Sequence, residues 1–174
     1  IIKKFSSDIN PETGVPYYSP EGLALGSKPN SRGIWTEVNS IDPAVLFIDR
    51  CLQLLKPGGK LLIVLPDGIL SNSGYRYVRE YMMGKKDEAT GKFFGGKGVI
   101  KAVISLPPDT FGLSGAGSKT SFLYMQKKAD ATDEQGDIFM AVAGKVGFEV
   151  KQNSEHYIEQ NDLIPICEGY ERVK

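Results

Sequence analysis

An unbroken apolar run, Leu61-Leu-Ile-Val-Leu65, constrains this chain more than any other feature; Lys56-Pro57-Gly58-Gly59 precedes it and Pro66-Asp67-Gly68 follows. Five apolar residues between breakers are too few for a helix and leave no polar face for solvent. The pattern predicts a strand covered on both faces, as in a parallel sheet. A helix should lead into it. Asp42-Pro43 offers an N-cap and then a proline at the first helical position, where its missing N–H is harmless. Ala44, Phe47, Ile48, Cys51, Leu52 and Leu55 recur at three- and four-residue steps, predicting an apolar helical face that stops near Lys56.

Downstream the alternation continues. Ser71-Asn72-Ser73 are good capping types ahead of a helix over 75–83, with Tyr77, Val78, Tyr81 and Met82 on one face. Residues 99–106 and 120–126 read as a second and a third strand, and 138–142 as a fourth, paired with 148–151. Leu163, Ile166, Cys167 and Tyr170 stripe a closing helix. Helices alternating with buried strands, without an internal repeat, argue for an α/β layer structure. Residues 1–41 differ: four prolines (Pro11, Pro16, Pro20, Pro29) and four glycines (Gly14, Gly22, Gly26, Gly33) with no sustained period predict a long loop. Its aromatics, Phe5, Tyr17, Tyr18 and Trp35, either pack on a neighbouring surface or wall a substrate cleft. The chain opens at Ile1 straight into this loop, so the expectation is a piece of a longer protein.

Composition narrows the classes. The 174 residues are 41% apolar and 24% charged, the make-up of one globular domain and not of a coiled coil or disordered tail. Lysine plus arginine is 21 and aspartate plus glutamate is 21, so no overall basic field exists and any nucleic-acid contact must be local. No apolar stretch nears the roughly 20 residues of a membrane span, and no secretory leader is visible, which predicts a cytoplasmic protein without a membrane partner. Cys51 and Cys167 fit no ligand spacing and are expected as buried thiols, and the lone His156, in a polar stretch, cannot build a histidine metal cluster.

Few motifs carry chemistry unaided. Gly112-Leu-Ser-Gly-Ala-Gly-Ser-Lys-Thr120 resembles a phosphate loop, but Ser118 interrupts the glycine–lysine step and a strand follows where a helix is needed. No serine sits in a nucleophile elbow. Asp67 and Asp109 each follow a strand-ending proline, where turn chemistry accounts for them; Asp67 could instead face a ligand at the carboxyl end of its strand. The thirteen residues from Pro107 to Lys119 exceed a tight hairpin and hold Phe111 and Lys119, an aromatic face and a cation able to stack and steer a base, or a surface loop whose ring tucks inward. Between Gly84 and Lys101 five lysines outnumber two acids by three, a phosphate-touching patch or a solvated charge run.

In order and spacing, several stretches resemble the methylation subunit of type I restriction-modification systems, a class of adenine-specific DNA methyltransferases. They are Asp42-Pro-Ala-Val-Leu-Phe-Ile-Asp-Arg-Cys-Leu52, Leu55-Lys-Pro-Gly-Gly-Lys-Leu-Leu-Ile-Val-Leu-Pro-Asp-Gly-Ile-Leu70, Val103-Ile-Ser-Leu-Pro-Pro-Asp-Thr-Phe111, Lys119-Thr-Ser-Phe-Leu-Tyr124, Ile138-Phe-Met-Ala-Val-Ala143 and Asn161-Asp-Leu163.

The resemblance implies a partial Rossmann-like, S-adenosylmethionine-dependent methyltransferase fold: a mixed sheet with flanking helices, its second and third strands antiparallel at one edge. It implies DNA as substrate, a DNA-specificity subunit and a restriction subunit as partners, and a target adenine flipped from the duplex. In that family a glycine-rich loop holds the cofactor and an Asn/Asp-Pro-Pro-aromatic tetrapeptide polarises the acceptor amine. Asn10-Pro11-Glu12 is not that tetrapeptide and no such loop occurs, so residues 1–41 read as the loop after the catalytic motif and 42–174 as the second half of the catalytic domain. The stretch from Lys85 to Gly98 is longer than the family's turn. What carries over is a base-contacting role for Phe111, with Lys119 and Thr120 as further substrate-binding candidates; no catalytic or cofactor-binding residue is assigned. The fragment alone is expected to be inactive, and the alternative is an interaction module retaining part of the fold without the chemistry.

Overall fold

The computed structural model describes residues 23–174 apart from Asn39 and Ala116, and the chain divides after Leu54 into two compact units. Phe5, Tyr17 and Tyr18 of the aromatic segment lie outside the described residues. In the first unit the expected loop contains a small antiparallel ribbon, β1 (Ser27–Pro29) with β2 (Trp35–Glu37). Its turn is built by Asn30, whose Oδ1 accepts the N–H groups of Arg32 (2.9 Å) and Ile34 (3.1 Å), and by Gly33 at φ +75°.

Helix α1 (Pro43–Leu54) begins where the sequence predicts, with Asp42 Oδ1 accepting the Ala44 N–H at 2.9 Å. Its buried face is rotated from the expected one: Val45, Ile48, Asp49 and Leu52 are buried while Phe47 is 63% exposed. Asp49 accounts for the rotation. Its Oδ2 accepts the Leu25 N–H at 2.9 Å and its Oδ1 faces Gln53 Nε2 at 3.4 Å, so a buried carboxylate satisfies a loop amide that hydrophobic periodicity cannot register.

The second unit is a mixed α/β structure around a four-stranded sheet in the order β3-β7-β6-β8. These strands are β3 (Lys60–Pro66), β6 (Gly98–Ser105), β7 (Thr120–Lys127) and β8 (Phe139–Val142). Strand β7 runs antiparallel to both β3 and β6, and β8 lies parallel to β6. Three expectations are corrected here. The apolar run forms β3, but as a strand at the end of this sheet, paired antiparallel, with Leu62 66% exposed. The antiparallel β6–β7 pair is interior to the sheet and not at its edge. Strand β8 joins β6, while β9 (Val146–Lys151) pairs with β10 (Ser154–Asn161), which no apolar alternation announced.

The Pro57-Gly58-Gly59 turn is stapled to the far end of β7. Gly58 N–H donates to Lys127 O at 3.1 Å, Lys127 N–H to Gly59 O at 2.8 Å, and Lys127 Nζ to Leu55 O at 2.6 Å. Residues of β7 alternate cleanly: Ser121, Leu123 and Met125 are buried, Phe122 and Tyr124 half-buried. On the second face, helix α4 (Leu163–Val173) sets Tyr170 edge-on to Tyr124 (centroids 5.9 Å apart) and Phe139 (5.6 Å). Desolvation in this cluster, and then the neighbouring Tyr124, raise the Tyr170 hydroxyl above its ordinary pKa. Cys167 is exposed and Cys51 half-buried, contrary to the expectation of two buried thiols. Cys167 lies beside, not on, the Ile166–Tyr170 stripe.

Between β3 and β6 come a short helix α2 (Asp67–Ser71), a 3-10 turn (Ser73–Tyr75) and helix α3 (Arg76–Met83), which packs on β6 through a face including the buried Val78 and Met82. Asn72 caps the turn, accepting the Gly74 N–H at 2.9 Å. The lysine-rich insertion is a small hairpin, β4 (Lys85–Lys86) with β5 (Phe93–Phe94). Two of its neighbourhood's cations are spent on structure: Lys92 pairs with Glu134 (3.1 Å) and Lys128 Nζ donates to Gly95 O (2.7 Å). The hairpin leads into the amino end of β6, across the sheet from the strand ends described below.

Leu123, with no exposed surface at the middle of the central strand, tests this packing. Leu123→Ala should lower the unfolding free energy by about 2–5 kcal/mol in denaturant titration, whereas Leu62→Ala should cost under about 0.5 kcal/mol.

Candidate functional site

Strands β3, β6 and β8 run in one direction, so their carboxyl ends share an edge, where open α/β sheets gather ligands. Three segments meet there: Asp67 after β3, the 106–119 connection after β6, and Gly144-Lys145 after β8.

Asp67 ties β3 to the start of β7. Its N–H donates to Lys119 O (2.9 Å), its Oδ1 accepts the Ser121 hydroxyl (2.6 Å) and its Oδ2 stands 3.8 Å from Lys119 Nζ. The hydroxyl bond is short and its donor buried; the lysine contact is long and open to water, a class of ion pair worth about 0–1 kcal/mol. Opposite Ser121 in register is Ser105, whose buried Oγ is without a hydrogen-bond partner among the described residues. Lys119 and Thr120, the two further substrate-binding candidates, both sit at this edge but in different settings. Lys119 is exposed beside Asp67, whereas Thr120 is only 7% exposed, its carbonyl accepting the Leu106 N–H at 3.0 Å. Phe111 is half-buried at the head of a 3-10 turn, Gly112–Ser114, its carbonyl accepting the Ser114 N–H at 3.1 Å. The chain then passes through Gly115, at φ +78°, and on into β7, so the phosphate-loop likeness has no helix N-terminus behind it.

Asp162 is a residue that sequence reasoning noted only within the Asn161-Asp-Leu163 resemblance. Its Oδ2 accepts both the Gly144 and Lys145 N–H groups, each at 2.8 Å, its Oδ1 faces Gln160 Nε2 at 3.2 Å, and its own N–H returns to Lys145 O at 2.9 Å. Asn161 Oδ1 meanwhile caps α4 through the Leu163 N–H at 3.1 Å. This clamp fixes one wall of a cleft with about 170 Å³ of room, between residues 107–110 and residues 144–146 and 148–150. Within it Glu149 is bonded to Lys151 and lies 3.5 Å from Lys145; these lysines, Lys151 foremost, hold its carboxyl below the ordinary range. His156 is exposed on β10, opposite Glu149.

Among the described residues no glycine-rich turn joins a strand to a long helix. Beyond β3 the chain enters the five-residue α2 directly. The described residues therefore do not fit a methyl-donor cradle. No group of three or more His, Cys, Asp and Glu among them could hold a metal ion, and none of their helices is long and apolar enough to cross a membrane.

The architecture is that of a mixed α/β protein whose sheet carries flanking helices. Residues 28–174 match the sequence profile of N-6 DNA methylases, and the chain belongs to that family. In solved structures it is similar, at 21% identity and a TM-score of 0.46, to a Listeria monocytogenes protein assigned as a class I S-adenosylmethionine-dependent methyltransferase. The match covers 69% of this chain and 34% of that one. No curated protein sequence matches the chain.

The Asp162 clamp is charge-dependent. The Lys145 N–H, then the Gln160 amide, then the Gly144 N–H lower its carboxyl below the ordinary 3.8. A depressed pKa contributes stability that is present above the ordinary value and lost as pH falls through the depressed one. Asp162→Asn should therefore speed amide exchange at Gly144 and Lys145 at pH 7. The difference from the parent protein should shrink as pH falls below the ordinary 3.8 and through the depressed value.

Proposed function

We propose that this chain is part of the methylation subunit of a type I restriction-modification system, an adenine-specific DNA methyltransferase acting in the cytoplasm with a DNA-specificity subunit and a restriction subunit. The family membership supports DNA methylation. The adenine target, the S-adenosylmethionine donor and the partners rest on the motif resemblance. The observation that carries the reading is the loop between β6 and β7, which brings Phe111 and Lys119 to the carboxyl edge.

When bound, S-adenosylmethionine supplies the methyl group; the residues described here serve the acceptor. A target base inside a duplex is out of reach and must be extruded. In this reading Phe111 offers its ring as the stacking surface for that base. Lys119 exchanges its long contact with Asp67 for a backbone phosphate. Asp67 remains occupied by Ser121, so releasing the lysine does not strip the carboxylate of its second partner. Thr120, buried in β7, holds the root of the loop through its backbone.

Two measurements check this. Incubated with adenine-containing duplex and radiolabelled S-adenosylmethionine, these 174 residues alone should transfer no methyl group. Combined with the family's cofactor-binding half, the parent protein should transfer it, and Phe111→Ala should lower kcat/KM by the equivalent of about 1–3 kcal/mol with an unchanged melting temperature. Methylation by this chain alone would overturn the proposed division of labour. Unaltered kinetics in Phe111→Ala would remove the stacking role.

A further inference from the structure

We infer that Ser105 is a positioning residue for Lys119: its hydroxyl donates to Ser121 and extends the Ser121–Asp67 bond into a relay that loosens Asp67's hold on the lysine, a role that rests on the proposed transfer of Lys119 to a phosphate. Ser105 closes β6 with its Oγ buried and without a hydrogen-bond partner among the described residues. A hydroxyl left so is costly, and native structures seldom keep one without a use. Register names its neighbours. On the same face of the sheet lie Val103 two residues back, Val142 across on β8 and Ser121 across on β7. Two of these are apolar, and Lys119, two residues before Ser121, offers donors only. Ser121 therefore carries the side-chain acceptor that the Ser105 proton needs.

The two hydroxyls are complementary. Ser121 spends its single proton on Asp67 Oδ1 at 2.6 Å, which leaves its oxygen lone pairs to accept, while Ser105 has a proton and no acceptor for it. Residues directly opposite on antiparallel strands hold their Cβ atoms about 4.5–5.5 Å apart, and a turn about the Cα–Cβ bond of Ser105 brings the oxygens together. Both groups are out of water, Ser121 being only 3% exposed. In such a setting a hydroxyl that accepts a bond donates more strongly, so Ser105 tightens Ser121 on Asp67. The carboxylate charge is then drawn toward Oδ1 and away from Oδ2, which faces Lys119 Nζ at 3.8 Å. The relay weakens the tether that a phosphate must break.

The relay is tested first without methyl donor or turnover. In denaturant titrations of the 174-residue chain, Ser105→Ala should lower the folding equilibrium constant about fivefold, the loss of one hydrogen bond, and Ser105→Thr, which keeps the hydroxyl, should restore part of it. In a Ser121→Ala background the same Ser105→Ala change should be neutral or stabilising. An orphaned hydroxyl behaves otherwise, since its removal leaves the parent unchanged or more stable, and a hydroxyl bonded to a buried water costs the same in both backgrounds. Either result overturns the relay. The positioning role is then read in the chain combined with the family's cofactor-binding half. There Ser105→Ala should raise KM for duplex DNA roughly twofold to threefold with kcat unchanged, and Ser105→Thr should bring it back. An unmoved KM, or a fall in kcat at constant KM, overturns that role. If the parent combination transfers no methyl group, the methylation reading fails by itself, because the stability cycle decides the relay without it.

Discussion

The antiparallel entry of β7 between β3 and β6 is the constraint from which the rest of the second unit follows. Both edges of its backbone are paired, and Leu123 and Met125 are fully buried from it. A strand inserted against the direction of its neighbours must be fed from their carboxyl ends, because β6 finishes there and β7 starts there. The 106–119 connection therefore has no other place to lie. The loop bearing Phe111 and Lys119 is at the ligand-gathering edge through topology, before any property of its residues is considered.

Around that strand, polar side chains complete what the backbone leaves open. Where β6 slips register between Ile100 and Ala102, Gln135 accepts the Ile100 N–H at 2.7 Å and donates to its carbonyl at 2.8 Å, standing in for a neighbouring strand until β8 begins. Asp162 does the same for the β8–β9 turn and, in the first unit, Asp49 for the Leu25 amide. Each is a polar residue at a junction between elements. An amide left without such a partner in a buried setting costs about 1–3 kcal/mol.

This division decides what the sequence could disclose. Elements whose signal is apolar periodicity were legible to within a residue or two: α1 from Asp42-Pro43 and its spaced aliphatics, α3, β3, β6 and β7, and the stripe from Leu163 to Tyr170 disclosed α4 without its bounds. Elements held by turns and side-chain bonds were not. The ribbon β1–β2 depends on the Asn30 turn, and β10 reads Ser-Glu-His-Tyr-Ile-Glu-Gln-Asn because it is solvated along almost its whole length, so no alternation was available to find it. The exposed Leu62 and Phe47 show the opposite failure, apolar residues whose pattern promised cover that the described structure does not give. At the site, Lys119 and Asp67 could be named from sequence, but their pairing requires β3 and β7 to be neighbours, a fact of topology and not of spacing.

That pairing also sets how the loop could respond to an anion. Asp67 holds two partners of unequal strength, a buried hydroxyl at 2.6 Å and an exposed ammonium at 3.8 Å. A competing phosphate can take the ammonium for about the 0–1 kcal/mol of a screened surface pair, while the Ser121 bond and the Asp67 N–H to Lys119 O bond keep β3 joined to β7. The side chain is thus free to move where the backbone that carries it is not. For the proposed reading on DNA this separates two quantities that a single flexible loop would couple: the reach of the cation toward the strand, and the position of the sheet edge beneath it.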